Sequence, residues 1–557
     1  MGTSAGRIVH VLGAEAGSET AFELVPALRA AGRIVREHAL APTVAAGADD
    51  VARLRLELGL AVAAARAAEN DGGTLLLADE RGALVIPERM RLLLDEQGLG
   101  WDEAWARTRA GVVSRFASPG SEPSHPFWTV SFLESEQPRL LEILYEINRR
   151  HLDEIETHWP GDGGRRRRLS LFRESEPRRL RLGQLAILGS SRADVAPPWE
   201  GPAAEILADF AELRGAALRT CATPVFARRF VVDANPPLAE QLALTLGSQW
   251  ATDPERFAEL ETLAFDSTFR GAFRRLRRTN RERLGAYLRE AAGIETDPDS
   301  LVDVRLGTFA GHERPLLSVL GLVREHLRLA AGGWTPPAPR TVVLARVGDA
   351  GEPGGERLFE LLRSVAEAIN RDERVRQALR VAVLPHCDAA GVPLLVAGAD
   401  LANQPGTAGS GAAGARALWF AASGAVMLGT RDGTVRELEA AVGAENLFLF
   451  GLGPLETHAW REGRVYRPQD VYTIDPLVRL SLDALVGSRY APTPGAFDWV
   501  KEALFNPHDP WLVLADFGAY VHRQDEALAE FADPRTFTEK AILTLARTRR
   551  FWVERLP

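Results

Sequence analysis

Lysine and methionine are scarce in this chain of 557 residues. Lys501 and Lys540 are the only lysines, which leaves arginine for 64 of the 66 basic residues once these two are taken away. Arginine stays protonated, so it cannot form an imine and is a poor general base. A lysine-dependent reaction would therefore have to use one of these two residues. No Gly-Lys-Ser or Gly-Lys-Thr sequence exists, which excludes a Walker-type phosphate loop.

Cysteine, long apolar runs and excess positive charge are also missing. Cys221 and Cys387 are too few for a disulfide framework or a cysteine-rich zinc site. No stretch reaches about 18 apolar residues without a charge, and the first residues lack the regions of a secretory signal. We therefore expect no membrane partner and a cytoplasmic protein. The net charge of −9 argues against a nucleic-acid partner.

What the chain does contain is the pattern of an α/β protein. Its length suggests two to four domains at roughly 100–200 residues each. Short apolar segments alternate with helical patterns in its second half, which predicts a parallel sheet. Strands are predicted at 8–12, 74–77, 341–345, 381–384, 394–396, 426–428 and 447–450. Helices are predicted at 21–32, 50–70, 140–156, 358–369, 412–421 and 435–442 and in the C-terminal region from 476 to 553, with a loop over 112–130.

Residues 397–451 carry a recognisable signature. Its motifs are Ala399-Asp400-Leu401, Thr407-Ala408-Gly409, Phe420, Gly429-Thr430, Asp432-Gly433 and Glu445-Asn446. The segment resembles the C-terminal lobe of the α-glucan (glycogen, starch and maltodextrin) phosphorylases, which form glycosyltransferase family 35. Further similar segments follow the same order at 86–105, 140–152, 167–171, 228–229 and 509–524.

The resemblance implies an α/β fold of two Rossmann-like lobes, of the GT-B type, with a central cleft. The N-terminal lobe, over residues 1–222, would be reduced, because roughly the first half of the family's N-terminal lobe has no counterpart here. The C-terminal lobe, over residues 223–557, would end in a helical region.

The resemblance also implies a reaction and a cofactor. Members of the family cleave α-1,4-glucosidic bonds with inorganic phosphate and hold pyridoxal phosphate on a lysine as an imine. Gly414 and Phe420 fix the alignment, and Trp419 then falls at the position of that lysine. Tryptophan cannot form an imine. We therefore expect no cofactor, with pyridoxal phosphate binding lost.

Other parts of the family's site are changed as well. Two phosphate-binding lysines correspond to Gly307 and Glu313, and an arginine between them corresponds to Thr308. A histidine of the N-terminal lobe corresponds to Ala117, while Asp79 survives from a nearby motif. Losing one such cation would cost roughly 10²–10³ in rate. We therefore expect no conventional phosphorolysis.

These changes predict a non-catalytic pseudoenzyme that binds glycan, regulates another protein or assembles with it. It would have no catalytic residue and no metal, its partner would be an α-glucan or a protein, and its oligomeric state is open. Candidate residual ligand contacts are Asp79, Arg228, Arg229, His386, Thr407, Gly409 and Arg416. His386 and Cys387 follow a predicted strand, but no third metal ligand is evident.

Two alternatives remain open. The first is an enzyme that transfers a sugar without pyridoxal phosphate, with Arg192, Arg228 or Arg416 holding the phosphates of a nucleotide-sugar donor. The second is an active phosphorylase, for which Lys501 and Lys540 are the only lysines available. The glycine-rich segment 406–414 would either present backbone N–H groups to an anion or form a turn that allows close packing.

Overall fold

The computed structural model describes residues 8–12, 33–38, 50–78, 80–116, 128–174, 177–195, 202–220, 231–232, 234–250, 253–347, 355–387, 390–409, 414, 416–463, 466–505, 509 and 511–551. The chain divides into two compact units, one of residues 1–223 with 555–557 and one of residues 224–554. Each unit has a six-stranded parallel sheet and a hydrophobic core of its own. The predicted α/β class is confirmed.

The first unit is built on a parallel sheet with the strand order β2-β1-β3-β4-β7-β8. The strands are β1 (Ile8–Leu12), β2 (Ile34–His38), β3 (Thr74–Leu77), β4 (Val112–Phe116), β7 (Arg192–Val195) and β8 (Leu218–Thr220), beside an antiparallel pair of β5 (Phe172–Arg173) and β6 (Arg179–Leu180). The helices are Asp50–Asp71, Val85–Arg91, Trp101–Ala110, Val130–Glu136, Pro138–His158, Gly163–Leu169, Leu182–Gly189 and Pro202–Arg214.

Helix Pro138–His158 illustrates how this unit buries its core. Its first residue is a proline, which a helix start tolerates because that N–H would have no partner within the helix. Leu140, Leu144, Ile147 and Ile155 are spaced three, four or eight residues apart and are all buried. That spacing places them on one face of the helix, and the opposite face carries the charged residues.

The second unit has the strand order β11-β10-β9-β12-β13-β14. The strands are β9 (Leu301–Gly307), β10 (Arg340–Arg346), β11 (Leu379–Leu384), β12 (Leu401–Gln404), β13 (Val426–Thr430) and β14 (Phe448–Phe450). Numbered along the chain, this is the order 3-2-1-4-5-6 of a doubly wound Rossmann sheet. Every residue of β9 and of β10 is buried, as expected for central parallel strands with helices on both faces.

Helices connect these strands and form the C-terminal region of the chain. They are Pro236–Leu246, Glu259–Leu263, Ser267–Ala292, Pro315–Ala331, Gly355–Arg371, Gly391–Gly398, Arg416–Ala422, Gly433–Val442, Pro454–Gly463, Pro468–Ile474, Pro476–Val486, Asp498–Phe505, Val513–Phe531 and Pro534–Arg547. Within the described ranges, none of the helices combines the length and apolar character that crossing a bilayer requires.

Some predicted elements differ from the structure. The predicted strand at 394–396 is wrong, because these residues belong to helix Gly391–Gly398. A short apolar run does not distinguish a strand from a buried helix by periodicity. The predicted loop over 112–130 is wrong at both ends, since it begins with β4 and ends in helix Val130–Glu136. The predicted helix at 21–32 lies outside the described residues.

Candidate functional site

The second unit has a topological switch point between β9 and β12. These neighbouring strands are parallel, so their carboxyl ends, at Gly307 and Gln404, lie at the same edge of the sheet. After β9 the chain continues to β10, which lies on one side of this strand pair in the sheet order. After β12 it continues to β13, which lies on the other side. A crevice at such a point is the usual ligand position in an open α/β sheet. We name the segments 307–314 and 404–409, with Arg416, Asp432 and Trp511, the switch-point site.

The carboxylate of Glu313 lies within this site and is held by three donors. Arg416 donates from Nη2 to Oε1 over 2.7 Å, and the two side chains are 12% and 8% exposed. The backbone N–H of Phe309 donates to Oε2 over 2.7 Å. The backbone N–H of Thr308 donates to Oε1 over 3.3 Å. The carboxylate therefore has the kind of surroundings that a bound oxyanion would need.

The surroundings of Glu313 keep it ionised. Burial by itself would raise the pKa of this carboxyl group, but the Arg416 guanidinium, His312, Arg305 and the N–H of Phe309 together lower the pKa below its usual value. A buried carboxylate remains charged only when opposite charges and hydrogen bonds compensate for its desolvation. The site consequently contains a fixed negative charge beside a fixed positive one.

The backbone after β9 is shaped to bring Glu313 to this position. Phe309 and Arg314 both have positive φ angles, of 62° and 50°. Side chains other than glycine adopt this left-handed region at a cost of about 1–2 kcal/mol each. At Gly307 a Cβ atom would lie 2.3 Å from Oε2 of Glu313. The glycine at the end of β9 therefore leaves the space in which the carboxylate lies.

Arg314 fastens the same loop to the rest of the unit. Its Nη1 donates to Oδ2 of Asp516 over 2.5 Å, and its Nε donates to the carbonyl oxygen of Pro405 over 3.1 Å. The other carboxylate oxygen of Asp516 accepts the N–H of Leu452 over 3.1 Å. Arg305, at the inner side of the loop, donates to the backbone carbonyl of Glu313. The loop therefore has paired, buried anchors on both sides.

The segment after β12 completes the site with polar backbone contacts. The N–H of Thr407 donates to the carbonyl oxygen of His312 over 2.8 Å, and its hydroxyl donates to the carbonyl oxygen of Trp511 over 3.4 Å. Gly409 has a φ angle of 89°, and its N–H donates to Oδ1 of Asp432 over 2.9 Å. The segment that joins these contacts to Arg416 passes through residues 410–413 and 415, which lie outside the described residues.

Two half-buried rings lie beside this cluster. The ring centroids of His312 and Trp511 are 6.1 Å apart. A Cβ atom at Gly311 would lie 2.5 Å from Nε1 of Trp511, so the indole packs directly against that glycine. The sequence prediction missed Trp511, although the Asp-Pro-Trp sequence that contains it lies in one of the segments that resemble the phosphorylases.

The predicted contact residues are only partly brought together. Thr407, Gly409 and Arg416 all lie in the switch-point site. His386 is exposed after β11, and β10 separates that strand from β9, so His386 lies roughly two strand spacings, or about 10 Å, away along the sheet. Its neighbour Cys387 is buried. Asp79, Arg228 and Arg229 lie outside the described residues, as does Ala117.

Two of the arginines proposed for a nucleotide-sugar donor belong to different units of the chain. Arg416 is paired with Glu313 and does not face bulk solvent. Arg192 belongs to β7 of the first unit, where its Nη2 lies 3.3 Å from Oδ2 of Asp194. Among the described residues, no group of three or more histidine, cysteine, aspartate and glutamate side chains could hold a metal ion.

Comparison with known proteins gives consistent matches. The family model described as carbohydrate phosphorylase matches residues 64–556. Glycogen phosphorylase, brain form, from Bos taurus is 30% identical over 489 residues, which cover 87% of this chain and 58% of that protein. Glycogen phosphorylase from Synechocystis sp. is 31% identical over 86% of this chain and 56% of its own length. The protein of that name from Haemophilus influenzae is 29% identical over 80% of this chain and 55% of its own.

These relatives overturn two of the predictions made from the sequence. They are named as glycogen phosphorylases, bacterial proteins included, so the prediction of a pseudoenzyme without catalytic function is wrong. The expectation that no cofactor is used is wrong for the same reason, because phosphorylases normally use pyridoxal phosphate. Replacements at aligned positions describe single residues, and they do not by themselves establish that a reaction has been lost.

The position of the lysines bears on how a cofactor would be held. Nζ of Lys501 lies 2.8 Å from Asp483, and Nζ of Lys540 lies 2.6 Å from Glu530. Neither lysine lies in the switch-point site. Trp419 is 1% exposed, in a helix whose residues 417–422 are all buried. The described residues of this site therefore do not fit a cofactor attached there through an imine.

The relationship covers most of the chain. The chain spans little more than half of the length of the curated relatives that it matches. The family model extends over both units, and the parallel sheets agree with the fold that the resemblance implied. The predicted family and fold class are confirmed, while the cleft between the lobes stays a prediction. The chain belongs to the carbohydrate phosphorylase family.

Proposed function

We propose that this chain is a glycogen phosphorylase-like enzyme of carbohydrate metabolism that transfers glucosyl units of α-1,4-glucans. The switch-point site carries this proposal, because it lies within the part of the chain that matches the family and at the sheet edge where ligands bind. The names of the relatives support glycogen as the substrate class. The cytoplasmic location predicted from the sequence stays a prediction.

The chemistry of the site suits a polyhydroxylated ligand. Thr407, His312 and Asp432 place polar groups beyond the end of β12. Thr407 donates hydrogen bonds to the carbonyl oxygens of His312 and Trp511, and the Asp432 carboxylate accepts the N–H of Gly409. The half-buried indole of Trp511 adds an apolar face and one N–H donor. A sugar ring has the same combination of hydroxyl groups and apolar C–H faces. Sugar binding at this edge would therefore use both kinds of contact.

The fixed charges contribute to the proposed reaction through their field. Cleavage of a glycosidic bond develops positive charge on the sugar ring in the transition state. Preorganised dipoles and charges that need no reorganisation during the reaction are effective in stabilising such charge. In this site only the Glu313 carboxylate has the sign that stabilises such positive charge, while Arg416 and the two backbone N–H groups hold the carboxylate in place and offset part of its field.

The full chain can be tested directly with glucans. Purified protein would be incubated with glycogen or maltoheptaose, with and without inorganic phosphate and with and without added pyridoxal phosphate. Formation of glucose 1-phosphate or redistribution of glucan chain lengths is the expected result. The proposal is contradicted if the protein neither binds maltoheptaose in calorimetry nor changes either glucan under any of these conditions.

A pair of tryptophan variants connects that assay with the site. Trp511→Ala should weaken maltoheptaose binding by about tenfold, the loss of about 1.4 kcal/mol expected when an aromatic contact is removed. Trp334→Ala is the matched control, because Trp334 is also half-buried but precedes the amino end of β10. Equal effects of the two substitutions would remove the switch-point site from the proposal.

A further inference from the structure

The buried carboxylate of Glu313 is surrounded by hydrogen-bond donors of the kind that bind a free oxyanion. The Glu313 carboxylate accepts hydrogen bonds from the guanidinium of Arg416 and from two successive backbone N–H groups, those of Thr308 and Phe309. Successive backbone N–H groups in a turn with a positive φ angle form a concavity that binds anions. Glu313 is therefore a carboxylate of the chain itself that lies in an anion-binding concavity.

The sequence around the carboxylate is adapted to its presence. The side chain has space because residue 307 is a glycine, where a Cβ atom would lie 2.3 Å from Oε2. Arg314 and Arg305 hold the loop from other sides, through Asp516 and through the backbone carbonyl of Glu313. The position of the carboxylate is therefore determined by buried contacts on several sides.

We propose that Arg416 and the N–H groups of Thr308 and Phe309 form a site for a small tetrahedral oxyanion, which the Glu313 carboxylate closes. Glu313 is then an intramolecular competitor of inorganic phosphate and determines the anion specificity of the switch-point site. A tethered group competes at a high effective concentration, because its binding is intramolecular. The natural chain therefore does not take free phosphate at these three donors, and removal of the carboxylate opens them.

Substitution of Glu313 provides the test. In Glu313→Ala, phosphate can restore a charge-assisted hydrogen bond to Arg416, so phosphate affinity should rise by about tenfold or more over the natural chain. The measurements are calorimetric titration and thermal unfolding of the full chain in sodium phosphate, against sodium chloride of equal ionic strength. A ligand that binds the folded state raises the melting temperature by mass action.

Three further variants make the result specific. Glu313→Gln keeps the shape of the side chain without its charge, so it should also gain phosphate affinity. It provides the test if the alanine variant folds poorly. The double variant Glu313→Ala with Arg416→Ala removes the main donor and should lose the gain. Glu325→Ala is the matched control, since Glu325 is likewise a buried partner of an arginine, Arg340, but lies in helix Pro315–Ala331.

The expected pattern is a response to phosphate in both single Glu313 variants only. The proposal is overturned if the natural chain binds phosphate as tightly as these variants, if both fold but show no response, or if the Glu325 variant responds equally. It is also overturned if the double variant keeps the full gain. No glucan is present in these titrations, so their outcome is separate from that of the proposed transfer reaction.

Discussion

Acidification should weaken the first unit through one buried histidine. His151 is 2% exposed in helix Pro138–His158, its ring is stacked on Phe210 at 5.7 Å, and its Nε2 lies 3.2 Å from the carbonyl oxygen of Leu169. Burial, together with the nearby Arg214, lowers the pKa of His151 to about 4, although the Leu169 carbonyl opposes this. The ring is therefore neutral in the folded protein at pH 7.

The sign of the effect follows from the two pKa values. In the unfolded chain His151 binds a proton below about pH 6.5, whereas the folded chain resists protonation down to about pH 4. Stability that is fully present above pH 6.5 is therefore lost as the pH falls through this interval. The complete shift corresponds to about 3 kcal/mol, and roughly 2 kcal/mol of it should be lost by pH 5.

Hydrogen exchange measured by mass spectrometry can isolate this local effect. Peptides from 140–156 would be followed at pH 7 and pH 5 in the natural chain and in His151→Gln, after correction for intrinsic exchange rates. Glutamine retains a donor for the Leu169 carbonyl but does not titrate, so the variant should show the smaller loss of protection. Identical losses in the two proteins would refute the assignment of the pH dependence to His151.

Two further substitutions test the loop after β9. Gly307→Ala should lower the free energy of unfolding by about 1–3 kcal/mol, because its Cβ would clash with the Glu313 carboxylate. Thermal unfolding would check this, with Gly59→Ala as control, since no atom beyond its chain neighbours and the local helix backbone lies within 4 Å of a Cβ there and a helical alanine should stabilise. Arg314→Ala should cost about 3–5 kcal/mol in urea unfolding because it leaves Asp516 buried without its partner. Arg314→Met with Asp516→Leu should recover part of this loss, and a larger loss in the double variant would contradict the argument.

The outcome for the cofactor shows where alignment of motifs stops being informative. Gly414 and Phe420 align well enough to identify the family, and they place Trp419 at a position that the structure buries completely. The inference from that tryptophan to a protein without enzymatic function was wrong, because the matched relatives are named as phosphorylases. A single aligned position reports which side chain is present there, whereas activity depends on every group that surrounds the substrate.

Much of the fold followed from local patterns. Buried parallel strands appear as short apolar runs between helical repeats, so β1, β3, β10, β11 and β13 could be predicted with their approximate positions. Local pattern failed at 394–396, where a run of three apolar residues is equally compatible with helix Gly391–Gly398. Packing against helix Ser267–Ala292 resolves this ambiguity, and that contact is invisible in the sequence.

The candidate site was decided mainly by tertiary structure. The sequence by itself determined the α/β class and the family, and it identified Thr407, Gly409 and Arg416 as candidate ligand contacts. It also showed that Glu313 puts a negative charge where the phosphorylases have a phosphate-binding lysine. It did not show that this carboxylate pairs with Arg416, which is 103 residues away in the chain. That pairing depends on the strand order, because β9 and β12 become neighbours only when the sheet forms. Short-range patterns determine which elements form, and only the assembled sheet determines which of their ends meet.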